Sequence, residues 1–594
     1  MSRQTIPGAS LLTRALEREG VDTVFGTVGH GNLAFVDALI DSSIRYVPVL
    51  HEQVGAHAAD AFFRVSGRVG VVTTTVGPGF TNLATGLGDA LLDSSAMVVI
   101  AGGIPSSYIG REPLQELRTH ADDQQTELFR GLSKRVIRAW RADDLARLLH
   151  EAVAVALSGC PGPVILHVPM DFFSTPVPLD SHLSRPAAAL RPAADPTRIA
   201  EAAQIISEAE RPVLYAGGGA VLSGAGAAVL QIADSLGIPV ATTMSGQGII
   251  PETHERALGF TGVVGTRPAN RALREADVVI AVGTRFPEMD TSSWSADYFA
   301  AFPPARLVQI DIDAAQIDKV FESSVAILSD ATAALRSLLD ALGGQADALR
   351  EGWRAWRDRL AVSQREWAAE LEPIRTSGAF PFEPAELLAQ LREQLPADLN
   401  LVTGVGIRHL VGQHFPVLAQ RGQVVASGFG TMGQEVAAAI GAAIGRPDRP
   451  TVAIVGDGAI MACLAALPSA ALAGIHAVWI VLNNNGYGSI AIYQSKHFNR
   501  HVGTSFDGVH GGGASEFDYA AIGKSLGMRS TKVGRADELR PALVRALAEP
   551  APWLIEVPVT ETPRVLASGH WVVNDILSGA AFAADGSERT DVDA

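Results

Sequence analysis

The chain has 594 residues, 47% of them hydrophobic and 19% charged, with a formal net charge of −16. That length exceeds what one hydrophobic core supports and predicts roughly three or four domains. The acidic balance argues against nucleic acid or an anionic membrane as the main partner.

The two cysteines, Cys160 and Cys463, lie far apart. They make neither a disulfide framework nor a thiolate metal cluster, and they fit a reducing, cytoplasmic setting. The first twenty residues carry no long apolar core and no small-residue cleavage site, and they read as a capped helix. The stretch AAAIGAAIG is too short to span a bilayer.

Strand-like and helix-like runs alternate almost throughout, the pattern of parallel α/β domains. In the first third the strands read TVFGTV, IRYVPVLH, GVVTTTV, AMVVIAG, RVIRAW and PVILHVP. STPVPLDSHLSRPAAALRPAADPT follows, rich in proline and alanine, and reads as a linker. A second set comprises RPVLYAGGGA, IPVATTM, ADVVIAVGTRF and RLVQIDID. The charged helical stretch EGWRAWRDRLAVSQREWAAELE connects it to a third set: LNLVTGVG, QVVASGFG, TVAIVGDG, AVWIVLNN and WLIEVPV. The expected division is 1–182, 190–345, a helical connector over 346–378, 379–565, and a tail or lid over 566–594. The fold class is α/β, with three doubly wound parallel-sheet domains.

Two strand ends carry the chemistry. TVAIVGDGAI ends in Gly-Asp-Gly, and AVWIVLNNNGYG ends in three asparagines. Residues 459–482, 24 in all, separate them, enough for one crossover helix. Both ends therefore fall on the carboxyl edge of a parallel sheet, where ligands bind. A carboxylate, an amide oxygen and a carbonyl are hard ligands suited to Mg²⁺ shared with phosphates. The turn Gly458-Ala459-Ile460 opens a helix whose free N–H groups can hold a diphosphate.

Together these motifs resemble the signature of thiamine diphosphate (ThDP) enzymes, GDG followed some two dozen residues later by NN. The resemblance implies that Asp457, Asn484 and Gly486 hold Mg²⁺, with Gly456, Gly458, Ala459 and Tyr487 around the cofactor. The triple asparagine leaves the register between neighbouring asparagines to be decided, and the spacing to Gly486-Tyr487-Gly488 favours Asn484. A second stretch, from YVPVLHEQVGAHAADAFF to AMVVIAG, is similar to the N-terminal domain of the acetolactate synthase and pyruvate oxidase group. There a glutamate, here Glu52, ends a strand before a helix. A carboxylate bonded to the pyrimidine N1′ favours the imino tautomer, which makes N4′ a base beside the thiazolium C2.

GFGTMGQEVAAAIGAAIG resembles the family's GTMG segment. That implies aminopyrimidine contacts from Gly430 and Met432, with the Met432 side chain holding the cofactor bent. Gln434-Glu435 departs from the apolar residues usual in acetolactate synthases. VTGVGIRHL maps onto a diphosphate loop, with Arg408 a candidate phosphate contact. The resemblance spans residues 5–565 and implies a pyrimidine-binding domain and a diphosphate-binding domain that share the ThDP-binding fold, with a central Rossmann-like domain between them. It also implies a homodimer or homotetramer whose active sites join Glu52 of one copy to Asp457 of another.

His30, in FGTVGHGNLAF, sits in the first βα loop of the pyrimidine domain. GHGN is most similar to ThDP hydrolases that open cyclic 1,2-diones, such as trihydroxycyclohexanedione hydrolase, and GTRFPEMDTSSWS shares that likeness. His30 is therefore a candidate proton shuttle. Gln115, in PLQE, maps onto a glutamine of acetolactate synthases. Ile490, Gln494 and His497 are candidates for the substrate pocket. The expected activity is ThDP- and Mg²⁺-dependent cleavage or joining of a carbon–carbon bond in a 2-oxo acid, with hydrolysis of a cyclic 1,2-dione as the alternative. Acyl-CoA lyase, a non-catalytic ThDP-binding subunit and a Rossmann dehydrogenase are weaker alternatives. FAD is a candidate for the central domain, although RFPEM departs from the flavin-contacting RFDDR stretch.

Overall fold

The structure is a computed structural model. It describes residues 4–120, 124–179, 185–506, 517–561 and 564–579. Three six-stranded sheets, each entirely parallel, organise it.

The first sheet has the order β3-β2-β4-β5-β7-β6. Its strands are β2 (Thr23–Gly26), β3 (Arg45–Pro48), β4 (Gly70–Thr74), β5 (Met97–Gly103), β6 (Arg135–Arg138) and β7 (Pro163–Pro169). The short strands β1 (Thr5–Pro7) and β8 (Pro176–Pro178) pair antiparallel beside it. The region expected as a plain linker therefore begins with a strand. Three residues, two of them proline, are too short to show a period-two pattern.

The second sheet has the order β11-β10-β9-β12-β13-β14. It contains β9 (Pro212–Ala216), β10 (Val240–Thr242), β11 (Ala257–Phe260), β12 (Val278–Val282), β13 (Arg306–Asp311) and β14 (Val325–Leu328). The helices Ala346–Gly352 and Arg354–Arg375 lead from it to the third sheet. There the order is β16-β15-β17-β18-β20-β19, with β15 (Asn400–Thr403), β16 (Gln423–Val425), β17 (Thr451–Gly456), β18 (Val478–Asn483), β19 (Arg529–Lys532) and β20 (Trp553–Pro558). Central strands such as Val452–Val455 and Val478–Leu482 are buried, which is why they read as continuous apolar runs rather than alternating ones.

The first and third sheets share one topology. In each, the second strand lies outside the first, the third lies on the first's other side, and the last strand lies inside the fifth. The order reverses beside β2 and β4 in one and beside β15 and β17 in the other, and a ligand crevice opens at such a switch point. The two domains also share one core. The helix Glu52–Ser66 packs on the helix Gln434–Gly445, and residues from Phe25 to Trp479 form a single cluster. Small residues allow the approach: a Cβ on Gly441 would fall 1.8 Å from the Ala58 carbonyl oxygen. The central domain keeps its own clusters around Leu214 and Tyr215. It is tied to the third domain by Glu252, whose Oε2 accepts the Val417 N–H at 2.6 Å. Ser245 and Ser427 hydroxyls also meet, at 2.5 Å.

Candidate active site

At the switch edge of the first sheet, β2 ends in Gly26 and runs into Thr27, while β3 leads through His51 into the helix Glu52–Ser66. His51 caps that helix, its Nδ1 accepting the Gln53 N–H at 3.2 Å. Glu52, the first helical residue, is fixed at both oxygens. Oε1 accepts the Thr27 hydroxyl at 2.8 Å, and Oε2 accepts Nδ2 of Asn82 at 2.9 Å.

The loop that bears His30 is braced from within. The Asn32 side chain accepts the Gly29 N–H and donates to the Thr27 carbonyl, both at 2.9 Å. Gly31 N–H donates to the Thr75 hydroxyl at 3.0 Å. His30 stands exposed on this rigid loop. Gln115 takes φ +65°, and the segment around it folds over Gly77, where a Cβ would fall 1.9 Å from the Gln115 carbonyl oxygen. Two residues on, a Cβ at Gly79 would be 3.3 Å from Glu52 Oε1. Glu52, His30 and Gln115 thus share one edge of the first sheet.

The corresponding edge of the third sheet carries the other residues. β17 ends at Gly456, and Asp457 opens the next helix, buried. Its Oδ1 accepts the Gly458 N–H at 2.7 Å and its Oδ2 the Gly486 N–H at 3.0 Å. Burial pushes the carboxyl up to about 6 against these N–H groups. Asn483 is engaged in the sheet end. Its Oδ1 accepts the Asn485 N–H and its Nδ2 donates to Glu556. Asn484 donates through Nδ2 to the Glu561 carbonyl at 3.3 Å, which leaves its Oδ1 as the amide acceptor beside this turn. The ring of Tyr487 lies on Gly458, where a Cβ would be 2.5 Å away, and meets Phe506 edge to face at 5.0 Å.

The GTMG segment forms the second wall. Gly430 at φ +73° and Gly433 at φ +91° occupy the left-handed region that glycine adopts freely. Between them, Met432 is 38% exposed, and Phe429 just before is 50% exposed. A Cβ on Gly433 would meet Cys463 and the Ala459 carbonyl, so this segment rests on the Asp457 turn. Arg408 is placed differently from a phosphate contact. It is buried, and its guanidinium donates to the carbonyls of Ala426 and Ser427.

Sequence reasoning missed Thr27 and Asn82, the two groups that orient Glu52. Their signal was polar residues in FGTVG and GFTNLATG, loops otherwise made of small and apolar residues. It also missed how the last described segment is seated. Trp571 donates to Glu288 at 3.1 Å, Val572 N–H donates to the Ser293 hydroxyl, and Asn574 meets Nε2 of His497 at 3.2 Å. The GTRFPEMDTSSWS stretch and the Gly488–Phe498 helix are thereby clasped together. Gln494 is spent within its own loop, accepting from Val502 N–H and donating to its carbonyl.

A carboxylate fixed at one sheet edge, and an oxygen-rich glycine cradle at the matching edge of a second sheet of the same topology, describe a class of cofactor enzyme. The chain belongs to the thiamine pyrophosphate enzymes: their N-terminal TPP binding domain matches residues 6–126, their central domain 199–338 and their C-terminal TPP binding domain 404–557. Among curated proteins it is 33% identical to the "Probable acetolactate synthase large subunit" of Methanocaldococcus jannaschii, over 95% of this chain and 94% of that one. It is 34% identical to the acetolactate synthase large subunit of Parasynechococcus marenigrum, over 94% and 88% of the two chains. Acetolactate synthase 2, chloroplastic, of Nicotiana tabacum is 32% identical over 97% and 84%.

Proposed function

We propose that this chain is a ThDP- and Mg²⁺-dependent carboligase that decarboxylates a 2-oxo acid and joins the remaining fragment to a second carbonyl compound, as a cytoplasmic homodimer or homotetramer. The observation that carries this reading is Glu52, held at both oxygens at the switch edge of the first sheet. Simple cofactor retention requires no acid there, whereas proton sharing with a pyrimidine nitrogen does.

The donor set fits the cation. Asp457, the Asn484 amide oxygen and the Gly486 carbonyl are hard oxygen ligands. Among the described residues no group of three or more His, Cys, Asp or Glu could hold a metal, so a cation here depends on amide and carbonyl oxygens. The turns at Gly456–Ala459 and Gly430–Gly433 suit the diphosphate and aminopyrimidine, with Tyr487 packed beside them. When bound, ThDP supplies a nucleophilic carbon that can hold negative charge after a carbon–carbon bond breaks. With the cofactor in place, Glu52 would hold a proton at the pyrimidine nitrogen, Met432 would support the bent cofactor, and Gln115 and His30 would be available to the substrate. FAD is not used in this reading. At the central switch point a Cβ on Gly217 would fall 2.3 Å from the Gly283 carbonyl, so that glycine serves the packing of two strand ends.

Exposed apolar side chains flank both half-sites: Val28, Leu33 and Leu50 near Glu52, Phe429 and Met432 at the cradle. A second copy covering them would bring Glu52 of one chain to the Asp457 cradle of the other. Among the described residues no helix is long and apolar enough to cross a membrane.

The test is carbon dioxide release from pyruvate by the purified protein with ThDP and Mg²⁺. Glu52→Gln should lower turnover by about 10²–10⁴-fold while ThDP still binds in a calorimetric titration. Undiminished turnover in that variant would refute the assignment. The exposed imidazole of His30 favours a second reading, hydrolytic ring opening of a cyclic 1,2-dione. Under it, pyruvate gives no carbon dioxide, a cyclic dione is consumed, and His30→Ala abolishes that consumption.

A further inference from the structure

Glu435 is the single charged residue of the Gln434–Gly445 helix, whose sequence is QEVAAAIGAAIG. The residue is 2% exposed, and its carboxyl lies where three turns meet. A Cβ on Gly404, in the turn after β15, would fall 1.7 Å from Oε1, so that turn rests directly on the carboxyl. Oε2 accepts the Gly433 N–H at 3.0 Å. Gly433 in turn packs on the turn that begins at Asp457, through Ala459 and Cys463. These are the three turns that would surround the cofactor's diphosphate and aminopyrimidine.

The groups on the surrounding elements leave Glu435 without a counter-charge. On its own helix, Gln434 turns to Asp60, with Arg64 beyond it. After β15, Arg408 donates to the carbonyls of Ala426 and Ser427, and His409 beside it is held neutral by burial, down at about 3. Cys463 is pushed up to about 12 by burial and by Glu435 itself. Asp457 is occupied by the N–H groups of Gly458 and Gly486. No Lys, Arg or His forms an ion pair with Glu435 among the described residues. Burial accordingly lifts its carboxyl to about 7.

The diphosphate brings more negative charge to these turns than the Mg²⁺ beside it cancels, and the cofactor displaces water from them, both of which disfavour a carboxylate beneath them further. We propose that Glu435 is a cofactor-coupled proton acceptor: a diphosphate-bearing cofactor filling the three turns draws one proton from solvent onto its carboxylate, so that the anion is bound over a neutral acid. This rests on the cofactor reading given above.

The experiment is calorimetric titration of the full chain with ThDP and Mg²⁺ in buffers of different ionisation enthalpy, for the wild type and Glu435→Gln. At pH 8 the wild type should take up about 0.5–1 proton more than the variant, and the difference should shrink toward pH 6. Above neutrality the wild type's affinity relative to the variant's should fall by up to about tenfold per pH unit. The infrared difference spectrum of the wild type on adding ThDP should gain a protonated-carboxyl band. Because Glu52 shares a proton with the pyrimidine in this reading, the band is also read in Glu52→Gln, where it decides the matter even if Glu435→Gln does not fold: its presence there supports the assignment and its absence overturns it. Equal proton uptake by two proteins that both bind ThDP overturns the role of Glu435 and leaves the cofactor reading standing. A wild type that binds no ThDP overturns both.

Discussion

His57 and Asp89 show how far burial changes the meaning of a contact. Their Nδ1 and Oδ2 lie 3.3 Å apart inside the protein, a spacing that suits an ion pair. Burial holds the imidazole down at about 3 and lifts the carboxyl to about 8, with Asp60 adding to the rise and the Thr431 hydroxyl and Arg64 opposing it. Near neutral pH the two therefore meet as a carboxylic acid and a neutral ring. An acid raised above its unfolded value of about 3.9 stabilises the fold fully below that value and loses the contribution as pH rises to about 8. A histidine lowered from 6.5 acts in the opposite sense, its cost appearing as pH falls below its unfolded value. Asp89→Asn should consequently gain melting temperature relative to the wild type between pH 6 and 8.5. A difference that stays flat across that range would contradict the shift. Glu52 and Asp457 were legible in the sequence because a charge at the end of an apolar strand stands out. Thr27 and Asn82 were not, because a threonine or asparagine in a loop has many local uses and only the fold shows it facing a carboxylate.

The pair of helices Glu52–Ser66 and Gln434–Gly445 sets the tightest constraint among the elements. Gly441 touches the Ala58 backbone, and Gly445 lies against Val65 and Phe62. Gly441→Val would force the helices apart and should cost about 2–4 kcal/mol, read as a lowered melting temperature. The glycines and alanines of AAAIGAAIG announced close packing, but not which helix they would meet. The short edge strand β19, RSTK, escaped sequence reading because it is polar and partly exposed, and periodicity has little to report over four residues. β1 and β8 were hidden in the same way, by length and proline.

For the whole molecule, the three α/β units were readable from alternating runs, and their order followed from the motifs. That the first and third domains share one fold came only from the family resemblance, since pairing across a sheet leaves no trace in local pattern. If each active site joins two copies, activity per chain should fall on dilution as the dimer dissociates. It should do so in step with the sedimentation coefficient, and ThDP with Mg²⁺ should shift both curves to lower protein concentration. Specific activity that is constant while the species changes from dimer to monomer would place a complete site within one chain.

The core shared by the first and third domains also bears on how the gene product can be divided. The connection over residues 185–195 is largely exposed, and a protease could cut it without reaching a strand. Yet the fragments on either side would stay together, because Phe25, Ala58, Ile440 and Trp479 belong to one apolar body. Expressed separately, those two domains would each present an uncovered alanine- and glycine-rich helix face to water. The central domain has clusters of its own and is the piece to expect as an independent, soluble fragment.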